Sequence, residues 1–488
     1  MRLCHFVLVG IVGATLASAS AWPQAQPSIT SVPLVLAGGT VVDVNDWGRS
    51  ARDLKDAIVV VRDGRITDVG SRGAISIPKG AHVIDCAGKF LIPGLVDGFA
   101  GINSQGQANA NLYMGVTTVV ARSDYRRGSI DRAAHPSPHL YLMDSVGSTD
   151  NWSLLANRPE WALKLKEGAH PAELSPEDTA RQLSDTARLG TRVLLLGHDL
   201  TAANTQWIVA RAHQMGLITY GEFISTPYRV GVEAGVDALP QLDRYDLGVV
   251  PDELQQPLVD NSEGQAANTA YDYAERLPPT DAHLRAYAHF LATHHAALMP
   301  VFSLLYLELP EHRNLWKEPA ARLLDPALMF QPSDRTNGEV VYPLPYWTRR
   351  LPASMQRWME DSQRKKAEQS AMRLWRINET IFAAPFPHYL ASSGASVSGT
   401  MAGISMHTEL EMLVRLGLSP REALAAATNN YAIQFGWNEL GLIAPGRRAD
   451  ILVLDSDPTQ SIWNARRIST LIMDGNVLDR DGLLHLNH

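Results

Sequence analysis

Between Gly94 and Ser393 the chain alternates short apolar runs with helix-length amphipathic segments, and that alternation leaves few folds open to it. Eight candidate strands are Gly94 to Asp97, Val116 to Ala121, Leu140 to Asp144, Val193 to Gly197, Ile218 to Phe223, Ala238 to Leu242, Leu298 to Leu304 and Tyr389 to Ser393. The intervening segments Pro176 to Leu189, Ala202 to Met215 and Ala282 to His294 carry apolar residues at helical spacing, and the first stops on Gly190. Strands alternating with helices require a parallel sheet covered by helices. Eight repeats predict an α/β fold of the (β/α)8 TIM-barrel type over 92–440.

Both flanks of this block are β-rich instead. Residues 33–91 read as short strands with turn punctuation, including Asp63-Gly64 between β-branched runs, a strong hairpin signal. Strand character returns in 441–488, at Gly441 to Gly446, Ala449 to Asp455 and Ser469 to Gly475. The two flanks are expected to pair into one small composite β-sandwich. Between the seventh and eighth candidate strands sit about eighty residues, 306–386, too many for a simple connection. They hold Trp316, Trp347, Trp358 and Trp375 and a basic helical stretch from Met355 to Ile377. Such an insertion is expected to lie over the barrel mouth or meet a partner, the alternative being a self-packed helical appendage.

The first residues are a basic start, the apolar run Phe6 to Leu16 and the small residues Ala17 to Ala21. This reads as a signal peptide, 1–21, cleaved after Ala19 or Ala21, with export to a periplasmic or extracellular space. The run is shorter than the roughly 20 apolar residues that span a bilayer, so no membrane span is expected after cleavage. Of the 2 cysteines, Cys4 leaves with the signal and Cys86 remains without an intramolecular disulfide partner. With 51 acidic and 43 basic residues, the net charge of −8 is spread without long like-charge blocks, which argues against nucleic acid as a partner.

Several motifs, in order, resemble the amidohydrolase superfamily in its imidazolonepropionase-like and prolidase-like branch. They are Asp63-Gly64-Arg65-Ile66, Gly88 to Asp97, Gly115 to Val119, Glu409 to Leu413, Glu422 to Thr428 and Gly441 to Asp450. The resemblance covers nearly the whole chain after the signal. It implies a barrel with a sandwich built from both termini, and hydrolysis of C–N or related bonds by water activated on one or two divalent metals. It also implies ligands at the barrel mouth: two histidines on strand one, a lysine or carboxylate on strand four, histidines on strands five and six, and an aspartate on strand eight.

At those six positions this sequence has other residues. Phe99 and Gly101 replace the paired histidines, Leu195 the lysine, Glu222 and Gln241 the single histidines, and Gly394 the aspartate. A lone carboxylate with one amide is a poor divalent-cation site, so neither metal nor other cofactor is expected. The first functional expectation is therefore a non-hydrolytic homologue. It would bind a small molecule in the barrel mouth, or act as the inactive partner of an active amidohydrolase paralogue, as a homo-oligomer or in that complex. The second is a metal-free lyase, isomerase or cyclase in which Glu222, His198 and Asp199 do acid–base work. A true metal-dependent amidohydrolase with unrecognised ligands is the third. His198 also reads as a surface-loop histidine. His139 and His388 precede their strands and read as structural, His283, His289, His294 and His295 as a solvated helix face, and His407 and Glu409 as packing or capping groups.

Overall fold

The computed structural model describes residues 32–485 except 123–135, 147–175, 198–199, 225, 252, 255–264, 275, 330–331, 342–347, 349, 384–387, 396 and 398. Two sheets organise it. The first has eight strands drawn from both ends of the chain: β1 (Leu34–Val41), β2 (Leu54–Arg62), β3 (Arg65–Ser71), β4 (His82–Asp85), β5 (Phe90–Pro93), β13 (Ile451–Leu454), β14 (Ile468–Met473) and β15 (Asn476–Leu478). Their order is β15-β14-β13-β5-β1-β2-β3, with β4 also pairing β1. β1 changes partner midway, from β4 at Leu34 to Ala37 to β5 at Thr40 and Val41. Gly39 sits at that switch, where a Cβ would lie 2.2 Å from Leu91 Cδ1, so only glycine fits.

The second sheet is parallel, in the order β12-β11-β10-β9-β8-β7-β6. Its strands are β6 (Leu95–Ala100), β7 (Val116–Arg122), β8 (His139–Val146), β9 (Thr191–Leu196), β10 (Ile218–Gly221), β11 (Ala238–Pro240) and β12 (Ala297–Met299). The extended segment 388–395 lies between its two edges. Leu298 N donates to His388 O (2.7 Å) and Leu390 N to Leu298 O (2.9 Å) on one side, while Gly394 N donates to Phe99 O (3.0 Å) on the other. The result is the expected α/β barrel, with the expected helices at Pro176–Arg188, Ala202–Gln214 and Ala282–Thr293.

Alternation along the strands builds the cores. Val96, Val120, Met143, Val193, Leu195, Tyr220, Ala238 and Met299 fill the barrel interior, and Tyr431, Phe435 and Trp437 join them. Trp437 meets Tyr141, near the start of β8, edge to face at 4.8 Å. In β5, β13 and β14, Leu91, Ile451, Val453 and Ile472 face the small sheet's own core, whereas Ile92, Leu452, Leu454 and Leu471 enter the main core around the barrel. Each such side chain contributes about 1.5–3 kcal/mol when fully buried, so the sheet and barrel share an apolar seam.

Three expected strands differ. The eighth, Tyr389 to Ser393, is extended but pairs with β12 only through a bridge between Leu298 and Tyr389, so the parallel sheet has seven strands. The seventh was placed to Leu304, but Pro300 brings no N–H to the ladder, Val301 turns to φ 56°, and a helix, Ser303–Tyr306, follows. Gly441 to Gly446 is a turn: both glycines have positive φ (87° and 86°) and Pro445 interrupts any ladder. In the insertion, the helix Ala353–Phe382 buries Ala371, Leu374, Trp375, Ile377, Asn378 and Ile381, all in its second half. An ion-pair cluster also fixes the insertion. Arg466 meets Glu318 and Glu411 (2.7 Å each), Arg313 meets Glu411 (2.8 Å), and both guanidiniums cover Trp463, at 4.4 and 4.2 Å.

His407, in the helix Ile404–Leu416, is buried, and its Nε2–H donates to the Met114 carbonyl (2.7 Å). Burial, helped by the Arg466 charge, lowers its pKa from 6.5 to about 3. The folded state therefore keeps a neutral imidazole where the unfolded chain takes up a proton, and stability falls as pH drops below 6.5. We expect His407→Gln to remove about 2 kcal/mol of the stability difference between pH 7 and pH 5, read by urea denaturation at both pH values. An unchanged difference would contradict the neutral buried imidazole.

Candidate functional site

The C-terminal ends of the barrel strands form the face where barrel chemistry sits. All six positions singled out in the sequence reach that end. Phe99 belongs to the last residues of β6 and Gly101 follows it, with its N–H donating to Ala395 O (2.5 Å). Leu195 is the penultimate residue of β9 and 3% exposed. Glu222 follows β10, with its N–H on Leu196 O (2.9 Å), and Gln241 follows β11, with its N–H on Met299 O (3.0 Å). Gly394 completes the ring through Phe99 O.

The side chains at this end are mostly apolar. Phe99 and Leu304 pack against the interior cluster that contains Leu195. Gly394 has φ 61°, and a Cβ there would stand 2.7 Å from Val301 Cγ1 and 3.1 Å from Leu304 Cδ2. Gly101 is different, its Cβ position meeting nothing nearer than Ala395 O at 3.4 Å. Gln241 and Val301 are non-glycine residues at positive φ (60° and 56°), so the backbone at the mouth is held in sparsely populated conformations. Glu222 is 8% exposed. His198 and Asp199 lie outside the described residues.

Two acidic residues behind the mouth were not singled out as site groups by the sequence reading. Asp97, in β6, is fully buried; its Oδ1 accepts N–H groups from Ser393 (2.9 Å) and, more weakly, Phe99 (3.4 Å). Its Oδ2 has no partner among the described residues. Burial, partly offset by the Ser393 hydrogen bond, pushes its pKa up to about 6. Glu409 is also buried and accepts the Ser303 N–H (2.7 Å), which caps the helix Ser303–Tyr306; burial, with Asp97 adding, holds its carboxyl well above the usual range. The signal was a lone acid inside the apolar run Leu95-Val96-Asp97.

The other histidines sit where the sequence placed them except His294, which is half-buried against the Phe290 ring (4.1 Å), its Nδ1–H donating to Phe290 O (2.7 Å). His388 stacks on Trp47 at 4.2 Å, and His283, His289 and His295 are exposed. His139, at the start of β8, faces Asp450 and Asp474 at the opposite end of the barrel.

Residues 380–478 match the amidohydrolase family. Over 75 residues the chain is 39% identical to an adenine deaminase of Methanothrix thermoacetophila, covering 15% of this chain and 12% of that protein. Over 96 residues it is 35% identical to an imidazolonepropionase of Deinococcus deserti, covering 16% and 24%. The matched stretches thus span about a quarter or less of these relatives' lengths. Across almost the whole fold, 93% of this chain and 98% of the other, it superposes on the crystal structure of a putative prolidase from Bifidobacterium longum with TM-score 0.57 at 20% identity.

Because the folded-state pKa of Asp97 is raised, the folded protein keeps a proton that the unfolded chain releases above about pH 4, and stability falls as pH rises from there to about 6. Asp97→Asn keeps an acceptor for Ser393 without the charge. We expect it to stabilise the protein more at pH 8 than at pH 5, by about 1 kcal/mol, in denaturant unfolding at the two pH values. Equal effects at both would mean that Asp97 is not held against ionisation.

Proposed function

We propose that this chain is an exported, non-hydrolytic member of the amidohydrolase superfamily that binds a small molecule in its barrel mouth. The observation that carries this reading is the donor set at the C-terminal ends of the strands. Amidohydrolase chemistry implies a divalent metal there, and these residues do not fit one. Leu195 and Phe99 pack with the apolar interior, and Gly101 and Gly394 have no side chains and commit their N–H groups to barrel closure. Of these six positions, Glu222 and Gln241 alone bring side-chain donors, fewer than a divalent cation needs. The same pair suits recognition, a carboxyl and an amide beside the apolar Phe99 and Leu195, which is how small-molecule sites are commonly built.

Phe99→His combined with Gly101→His is expected to leave zinc stoichiometry unchanged, measured by metal analysis after dialysis, because positions 195 and 394 still lack donors. An added equivalent would overturn the reading. A thermal-shift screen of purines, imidazolones, Xaa-Pro dipeptides and other amides is expected to find a stabilising ligand that is not hydrolysed. Glu222→Gln should then weaken its binding about 10-fold or more, the scale of a charge-assisted hydrogen bond. Turnover without added metal that is lost in Glu222→Gln would replace binding with metal-free acid–base catalysis by Glu222, with His198 and Asp199 the neighbours to test.

The reading extends to assembly. The first half of the helix Ala353–Phe382 has no buried residue among those described, and it exposes Met355 (48%) and Trp358 (68%). This supports a homodimer or a complex with an active paralogue. Light scattering across concentrations, with and without such a relative, is expected to show association that Trp358→Asp weakens; a monomer throughout would count against it.

A further inference from the structure

At the end of the barrel opposite the mouth, three side chains from different elements converge. His139 opens β8, Asp450 immediately precedes β13, and Asp474 forms the turn after β14. We propose that His139, Asp450 and Asp474 form a binding site for a divalent cation of the zinc class, bridging the barrel and the small sheet. It is distinct from the metal position implied at the barrel mouth.

The spacing carries the argument. His139 Nε2 lies 3.4 Å from Asp450 Oδ2 and 3.4 Å from Asp474 Oδ1, and one ligand atom from each of the three residues lies within 4.8 Å of the others. A charge-assisted N–H···O bond would close to about 2.7–2.9 Å. Ligands held about 2.0–2.1 Å from a tetrahedral zinc stand roughly 3.4 Å apart. Nε2 is shielded from solvent, and when protonated it pairs with both carboxylates, which raise its pKa against the opposing effect of burial; a divalent cation would take the place of that proton. An imidazole nitrogen aimed between two carboxylates, at a spacing that also suits a shared ion, is a donor set zinc prefers over magnesium or calcium.

The carboxylates are held in place. Asp450 Oδ1 accepts the Asp474 N–H (2.9 Å), which couples the two ligands through the backbone. Asp450 Oδ2 also accepts from Arg448 Nε (2.5 Å), leaving its second lone pair for the ion. The Arg448 charge opposes a second cation, and Asp450 with Asp474 outweighs it by one unit. A surface cavity of about 560 Å³, lined by His139, Tyr141, Arg192, Arg448, Asp474 and Asn476, gives entry from solvent and room for a water as fourth ligand. Because its ligands come from both the barrel and the sheet, a bound ion would fasten the two together.

The test uses the full chain after chelation, titrated with zinc chloride by calorimetry, with cobalt(II) absorption reporting tetrahedral geometry. One equivalent is expected. Losing a hydrogen bond behind a ligand costs about 10–100-fold in affinity, so His139→Ala and Asp474→Asn should each weaken binding by at least about 100-fold. Zinc should raise the melting temperature of the unaltered protein and leave that of both variants unmoved. Asp474 is half-exposed, so Asp474→Asn tests the site with little risk to folding. No binding tighter than about 1 mM, or an equivalent retained in both variants, would overturn the proposal. An equivalent retained in both but lost in Glu222→Gln would place the ion at the mouth and overturn the function proposed above as well.

Discussion

The barrel depends on a seam that has little regular ladder to hold it. The segment 388–395 joins β12 through two backbone hydrogen bonds about Leu298 and joins β6 through Gly394 to Phe99 and Gly101 to Ala395. Asp97 supplies the link between them by accepting the Ser393 N–H, so a side chain stands where a ladder bond would otherwise be. A buried carboxyl is a costly way to do this. The cost accounts for its raised pKa, and an ionised Asp97 would face Glu409 across the same packed region.

This seam explains why the mouth keeps its shape although its side chains are largely apolar. The ends of β6 and of segment 388–395 are set by backbone bonds at Phe99, Gly101 and Gly394, and none needs a side-chain donor. Glu409, reaching from the helix Ile404–Leu416 to cap Ser303, fixes the turn that follows β12. The mouth is thus braced from behind by two buried acids, and its lining is free to differ from that of a metal hydrolase without loss of the barrel.

Much of this was legible in the sequence, for physical reasons. Continuous apolar runs such as Ala57 to Val61 and helical spacing in Ala202 to Met215 express burial directly, and the structure returns them as strand and helix. The ends of elements were less legible. Leu298 to Leu304 is apolar throughout, and only Pro300 marks where the strand stops; Gly441 to Gly446 contains apolar residues between two glycines that turn the chain. The six mouth positions could be read because motif spacing places them at strand ends. Glu409 could be read as a capping group but not as the neighbour of Asp97, 312 positions away, and His139 meets Asp450 and Asp474 only through the packing of the small sheet against the barrel.

The two glycines at the mouth differ in a way that bears on how this site relates to a metal centre. At Gly101 the nearest atom to an added Cβ is a carbonyl oxygen at 3.4 Å, so a side chain there needs only small adjustment. At Gly394 the backbone is left-handed, at φ 61°, and Val301 Cγ1 occupies the path at 2.7 Å. Val301 is itself at positive φ, an arrangement a β-branched residue adopts only when its surroundings hold it there. Val301 and Leu304 therefore occupy the volume that any side chain at position 394 would need. A side chain there would require the turn after β12 to move, and Glu409 holds that turn through Ser303. The requirement for glycine at 394 is thus distributed over the seam that closes the barrel.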